Sequence, residues 1–179
     1  MIDKRPPRVA AMFDGIAARY DLLNHLLSAG FDSLWRARAI DSLSLEGGES
    51  LIDVCTGTAD VALAAVERRR GAGRVVGVDF SAEMLRRGAV KVRARGHADR
   101  IRLVRGDAAR LPAAPASMDA ATVAFGIRNV ERPERALAEM HRVLRRDGRL
   151  AILEFSIPRS AIVRAVYLPY FRFVLPRIG

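Results

Sequence analysis

The sequence predicts an α/β fold built on a doubly wound, mostly parallel sheet. Three observations predict it. Short apolar runs alternate with helix-length amphipathic stretches from Leu51 onward, the pattern of successive βα units. The run Leu51–Val54 ends in a small-residue turn, Thr56-Gly57-Thr58-Ala59, and a helix-compatible run starts at Val61, an order of strand, tight turn and helix. The first three apolar runs each carry an aspartate at or near the end: Asp53, Asp79 and Asp107.

In a parallel sheet the C-terminal strand ends open on one crevice, so these three acids are expected to converge there. The turn after Leu51–Val54 is not the three-glycine dinucleotide fingerprint, because Gly57 is its only glycine. Backbone N–H groups in such a turn approach a ligand at the positive end of the following helix. Asp79 lies 20 positions beyond Ala59, where a nucleotide-binding βαβ unit places a carboxylate for ribose hydroxyls. Asp53 would repel phosphate but suits an ammonium group or a bound water. A nucleoside with a cationic amino-acid tail and no phosphate, S-adenosylmethionine, fits this set. The plainer reading is a structural turn that binds nothing; Asp79 weighs against it.

Composition sets the bounds. The 179 residues are 50% apolar, which suits one domain with a substantial core. A single cysteine, Cys55, allows no internal disulfide and reads as a small packing side chain, because no histidine lies near it in sequence. No run of 18 apolar residues occurs, and residues 1–8 lack the apolar segment of a signal peptide, so a cytoplasmic protein is expected. The net charge of +10 rests almost wholly on scattered arginines, Lys4 and Lys91 being the only lysines. Interleaved aromatic and basic clusters are missing, so no nucleic-acid partner is expected. No Cys/His/Asp spacing points to a metal.

The elements follow in order. Residues 1–8 read as a loose arm. From Val9 a helical pattern starts, with Met12, Phe13, Ile16, Tyr20, Leu23 and Leu27 on one face and Gly30 as its stop. A second helix is expected over about Asp32–Leu43, capped by Asp32 or Ser33, with Trp35 and Ile40 inward. Residues 9–45 are thus a helical preamble, expected to act as a lid. A βα core follows over residues 50–155. Its first helix runs to about Arg70, strand two is Arg74–Asp79, and Ser81 caps a helix facing the sheet through Met84, Leu85, Ala89 and Val92. Strand three is Ile101–Val104 and strand four Met118–Ala124. A helix over Glu131–Arg146 turns Leu137, Met140, Val143 and Leu144 inward and ends in Arg145 and Arg146, which suit its negative end. Strand five is Arg149–Phe155. The tail 156–179 is strongly apolar but interrupted by Pro158, Pro169 and Pro176, and reads either as a lipid-facing or substrate-covering helix or as ordinary packing on the sheet.

Five βα units with acids after the first three strands resemble the Rossmann-like class I S-adenosylmethionine-dependent methyltransferases. The segments MFDGIAARYDLLNHLLSAGFDSLWR, DVCTGTADVAL, VVGVDFSAEML, GDAARLP, FGIRNV, ALAEMHRVLRRDGRLAILEFS and VLPRIG together resemble the menaquinone/ubiquinone biosynthesis C-methyltransferase family. The resemblance implies that Gly57 and Thr58 approach the cofactor, that Asp79 holds the ribose hydroxyls, and that Asp107 and the Ala108 backbone hold the adenine. It also implies a serine before Phe-Gly; here Ala124 stands there and only backbone can serve. Glycine is frequent in the family where this chain has Ala59, and glycine or cysteine where it has Thr56. Members continue past VLPRIG into two further strands, so the chain is expected to be C-terminally truncated, with strand five as a sheet edge.

The implied substrate is a polyprenyl hydroquinone, with demethylmenaquinol preferred. Arg128 would stabilise its phenolate, with Asn129, Tyr20 and Asp21 as hydrogen-bonding groups, and His25 is the one histidine to consider beside them. Peripheral contact with anionic membrane, and a homodimer or a quinone-pathway partner, are the associations expected. A methyltransferase of another small molecule or of RNA, and a non-catalytic cofactor-binding module, stand as the alternatives.

Overall fold

The computed structural model describes Asp14, Gly15, Ser28 and residues 30–156. The arm, most of the first lid helix with Tyr20, Asp21, Asn24 and His25, and the tail beyond Ser156 lie outside the described residues.

Helix α1 is Phe31–Ser42, followed by β1, Ser50–Val54, and α2, Asp60–Glu67. Then come β2, Arg74–Asp79, α3, Ala82–Ala94, and β3, Ile101–Arg105. Strand β4, Met118–Ala124, leads through a 3-10 turn at Ile127–Asn129 into α4, Pro133–Val143, and β5, Leu144–Leu153. The sheet has five strands in the order β3-β2-β1-β4-β5, and every pairing is parallel. The order reverses between β1 and β4, where a doubly wound sheet opens its crevice.

The sheet is covered on both faces, so its strands are apolar on both. Leu51, Val75 and Ala120 pack with Ile40, Leu43, Ala62, Leu63 and Val92 on the α1, α2 and α3 side. Ile52, Val54, Val78, Ala121 and Val123 pack with Ala136, Met140 and Val143 of α4 on the other.

Local departures from expectation have local causes. Helix α1 is entered through Gly30 in a left-handed conformation, φ 80°, rather than through a side-chain cap. Asp32, expected as a cap, lies in the first turn and is buried, accepting from Ser28 Oγ at 2.9 Å and pairing with Arg36. Helix α2 stops at Glu67, three residues short of Arg70. In α3 the inward position after Leu85 is Gly88 rather than Ala89; a Cβ there would stand 3.2 Å from Ala59 Cβ, so glycine lets α3 approach the turn after β1. Helix α4 ends at Val143 rather than Arg146. Leu144 already pairs with Met118, and residues 145–148 bulge out before Arg149 resumes opposite Ala120. Arg145 and Arg146 therefore sit on the bulge, where Arg145 pairs with Asp119, instead of closing a helix. Leu137 is 38% exposed, not inward.

Candidate functional site

The strand ends around the order reversal enclose a cavity of about 300 Å³, within the range of small-molecule sites. Cys55 and Gly57 line it from the turn after β1; Val78, Asp79, Phe80 and Ser81 from the end of β2. Asp107 and Ala108 come from beyond β3, and Ala124, Phe125 and Asn129 from beyond β4.

The turn after β1 is tightly bent. Cys55, Gly57 and Ala59 all have positive φ, 58°, 55° and 67°. Only one of the three is glycine, so two carry the left-handed penalty of about 1–2 kcal/mol each. Crowding holds Cys55 in place: a Cβ on Gly126 would lie 2.3 Å from Cys55 Cβ. The chain leaving β4 thus passes directly over the chain leaving β1, and only glycine permits the crossing.

Asp79 is the last residue of β2 and its two oxygens are held separately. Oδ2 accepts the Gly57 N–H at 2.8 Å and Oδ1 the Ser81 N–H at 2.9 Å. The carboxylate therefore ties the β1 turn to the start of α3 while still facing the cavity. Burial pushes its pKa up, against the opposing pull of those N–H groups, and the Asp14 carboxylate adds to the rise. Asp14 reaches this corner from the preamble: it accepts from Ser81 Oγ and, at 3.3 Å, from the Glu83 N–H. Ser81 itself caps α3 by accepting the Met84 N–H at 3.1 Å. Asp107 accepts the Ala109 N–H on Oδ1 at 2.8 Å, and Oδ2 has no partner among the described residues.

Two expected cofactor residues are not at the cavity surface. Asp53 is not at a strand tip but one residue inside β1, and its side chain points to the α2 face. It is 1% exposed, with Thr122 Oγ1 donating to Oδ1 at 2.7 Å and Thr56 Oγ1 to Oδ2 at 2.6 Å. Both oxygens are used, so the expectation that it faces an ammonium group is corrected: it braces the turn from beneath. Gly77, its register partner on β2, makes room for this, since a Cβ there would lie 2.9 Å from Thr56 Oγ1. Burial raises the Asp53 pKa to about 6, with the threonine donors opposing. Thr58, at 2% exposure, also turns away from the cavity and accepts from Lys91 Nζ at 3.0 Å. Lys91 also pairs with Asp60, which Arg36 of α1 approaches to 3.5 Å, so an ionic network links three helices behind the turn.

Of the four expected catalytic residues, Tyr20 and Asp21 lie outside the described residues, Asn129 lines the cavity and Arg128 does not. Arg128 donates to Glu154 Oε1 at 2.9 Å and lies over the Phe155 ring, 5.3 Å from its centroid. Glu154, Phe155, Phe125 and Trp35 stand in segments that carry the family resemblance, but the sequence assigns none of them a role at the site. Cys55 is a cavity wall and not a nucleophile: burial, together with the Asp79, Asp53, Asp107 and Glu154 charges, pushes its thiol up and keeps it protonated. Among the described residues no group of three or more His, Cys, Asp and Glu side chains is placed to hold a metal.

The donor set fits a nucleoside with a cationic tail. An unpartnered carboxylate oxygen on Asp107 can receive an exocyclic amine, Ala108 and Val78 offer apolar walls to a base, and the cavity holds both signs of charge, Asp79, Asp107 and Glu131 with Arg132 and Arg135, to meet an ammonium and a carboxylate of a zwitterionic tail. A parallel doubly wound sheet with this acid-lined crevice is the architecture of the class I S-adenosylmethionine-dependent methyltransferases. One of Aquifex aeolicus superimposes with a TM-score of 0.61 at 20% identity, over 70% of this chain and 66% of its own.

The chain belongs to the ubiE/COQ5 methyltransferase family, whose model matches residues 1–179. It is 46% identical over 178 residues to a ubiquinone/menaquinone biosynthesis C-methyltransferase of Citrifermentans bemidjiense, covering 99% of this chain and 76% of that relative. It is 42% identical to a demethylmenaquinone methyltransferase of Mycolicibacterium paratuberculosis, covering 99% of this chain and 73% of the relative. The cyclase SpnF shares the fold with a TM-score of 0.74 at 24% identity, over 87% of this chain and 62% of that one. Fold alone therefore does not fix the reaction; family membership does. The chain is an S-adenosylmethionine-dependent C-methyltransferase.

Proposed function

We propose that the chain methylates a ring carbon of a polyprenyl hydroquinone, converting demethylmenaquinol to menaquinol. The reading is carried by the cavity of Gly57, Asp79, Asp107 and Ala108, found in a chain whose relatives bear quinone C-methyltransferase names over 99% of its length.

When bound, S-adenosylmethionine supplies an electrophilic methyl group on a sulfonium. Asp79 holds the ribose hydroxyls, its carboxylate already oriented by the Gly57 and Ser81 N–H groups. Asp107 and the Ala108 backbone would hold the adenine. Ala124 contributes backbone only. Asp53 and Thr58 act indirectly, by fixing the turn. Positioning and exclusion of water are the main contributions of the protein, because a thioether leaves without an acid. A phenolate makes the acceptor carbon electron-rich, and Arg128 is the cation that stabilises it, with Asn129, Tyr20 and Asp21 as hydrogen-bonding groups.

Anaerobic assays with labelled cofactor and either demethylmenaquinol, a demethylated benzoquinol or RNA test the reading. Label in menaquinol supports it; label in RNA with none in either quinol overturns it. A bilayer substrate also calls for membrane access. No described helix is long and apolar enough to cross a membrane. Peripheral docking on anionic lipid is the arrangement that fits the +10 charge. Co-sedimentation with anionic liposomes that falls at high salt is expected, and its absence at low salt refutes the docking.

A further inference from the structure

Aromatic residues are scarce, yet the only tryptophan and three of the four described phenylalanines meet at one place, the C-terminal ends of β4 and β5 against the start of α1. Phe125 and Phe155 stack with centroids 4.6 Å apart and 27° between planes. Trp35 stands edge-on to Phe155 at 5.9 Å, and Phe31 stacks on Trp35 at 6.3 Å. Phe31 and Phe155 remain 55% and 42% exposed, an apolar surface of the kind that marks a binding site.

Phe125 joins this shelf to the cofactor cavity, which it also lines. Its φ of 56° is rare for a bulky residue, and its N–H is tied to Leu153 O at 2.8 Å. Such strain is characteristic of functional sites.

Glu154 precedes Phe155 and bonds the groups around it. Its Oε1 accepts from Arg128 Nη1 at 2.9 Å and from the Phe155 N–H at 3.0 Å. Its Oε2 is buried and has no partner among the described residues. A buried, unsatisfied carboxylate oxygen is costly, and it calls for a donor that arrives from outside. The Arg128 guanidinium sits over the Phe155 face, so cation, aromatic surface and open acceptor share one spot.

We propose that Phe31, Trp35, Phe125 and Phe155 form the shelf on which the acceptor's aromatic ring lies, and that Glu154 is the base that takes its hydroxyl proton. This rests on the hydroquinone reading above. The hydroxyl O–H bond breaks, its electron pair stays on the ring oxygen facing Arg128, and the proton goes to Glu154 Oε2. Once the ring carbon bears its methyl group, the hydrogen on that carbon leaves as a proton to water. Glu154 returns its own proton to the ring oxygen. One proton is released per methyl transferred.

The test titrates the full chain anaerobically with 1,4-naphthohydroquinone and reads the fluorescence of Trp35, the only tryptophan. Wild type should show saturable quenching. Phe155→Leu should weaken quinol binding at least tenfold while S-adenosylhomocysteine binding, measured by calorimetry, stays within threefold. Glu154→Gln should bind quinol within threefold of wild type. Its single-turnover methylation should fall about 100-fold and gain a rise with pH where wild type is flat, the signature of a lost base. No saturable quenching in wild type overturns the shelf, and a Glu154→Gln rate and pH profile like wild type overturn the base. Wild type that binds quinol and never methylates it defeats the hydroquinone reading and this proposal with it.

Discussion

At the scale of single residues, the same residue type does different work according to one position of offset. Asp79 ends its strand and borders the cavity; Asp53 stops one residue short and points into a helix-covered face. The sequence shows both as acids closing apolar runs and does not reveal which face each takes. A buried carboxylate with a raised pKa makes a calculable contribution. With its folded value near 6 and an unfolded value near 3.8, Asp53 disfavours the native state above pH 6 by about 3 kcal/mol. That penalty disappears as pH falls from 6 to 4, because the native state takes up the proton first. Asp53→Asn should flatten the pH dependence of the urea midpoint between pH 4 and 7, and an unchanged profile contradicts the assignment. Gly126 is the second residue-scale constraint. Gly126→Ala must displace Cys55, and is expected to cost about 1–3 kcal/mol in denaturant titrations.

At the scale of elements, periodicity located every described strand and helix, and it failed mainly at their ends. Helix α4 was expected to run through Arg145 and Arg146 because arginines suit a helix C-terminus. Pairing of Leu144 with Met118 overrides that preference, and the arginines are pushed out on a bulge. Tertiary pairing of this kind leaves no trace in a local pattern. The link between α1 and the core is likewise invisible in sequence, since Arg36, Asp60 and Lys91 come from three helices. Asp60→Ala removes the carboxylate between Lys91 and Arg36, which keep Thr58 and Asp32 as partners. It should lower stability by about 1 kcal/mol and raise hydrogen exchange in α1 more than in β2. Equal exchange in both elements speaks against a docking role.

At the scale of the whole molecule, the parallel sheet and the crevice at its order reversal were legible from alternating elements and strand-end acids. Of the positions read as cofactor-binding, Gly57, Asp79, Asp107, Ala108 and Ala124 line the cavity. The proposed acceptor side was not legible. Arg128 was singled out, but its partner Glu154 and the cluster of Phe31, Trp35, Phe125 and Phe155 come together only from α1 and the segments just past β4 and β5. Each cofactor-side position stands in a recognisable strand-end turn of its own, whereas the aromatic cluster depends on which segments the assembled sheet brings together. Among the described residues β5 is an outer strand, and its Leu150 and Ile152 are 39% and 49% exposed. Exposed apolar side chains grouped in this way favour association. Replacing Ile152 by Lys should lower aggregation on heating, as read by light scattering.

The measurement that bears most directly on the account is calorimetric titration of S-adenosylhomocysteine into wild type and Asp79→Asn. An asparagine can accept from only one of the Gly57 and Ser81 N–H groups and turns its own N–H₂ toward the other. One site per chain in wild type, and at least a tenfold loss of affinity in the variant with native circular dichroism retained, is the predicted result. Affinity within threefold of wild type would mean that the carboxylate at the tip of β2 does not hold the nucleoside.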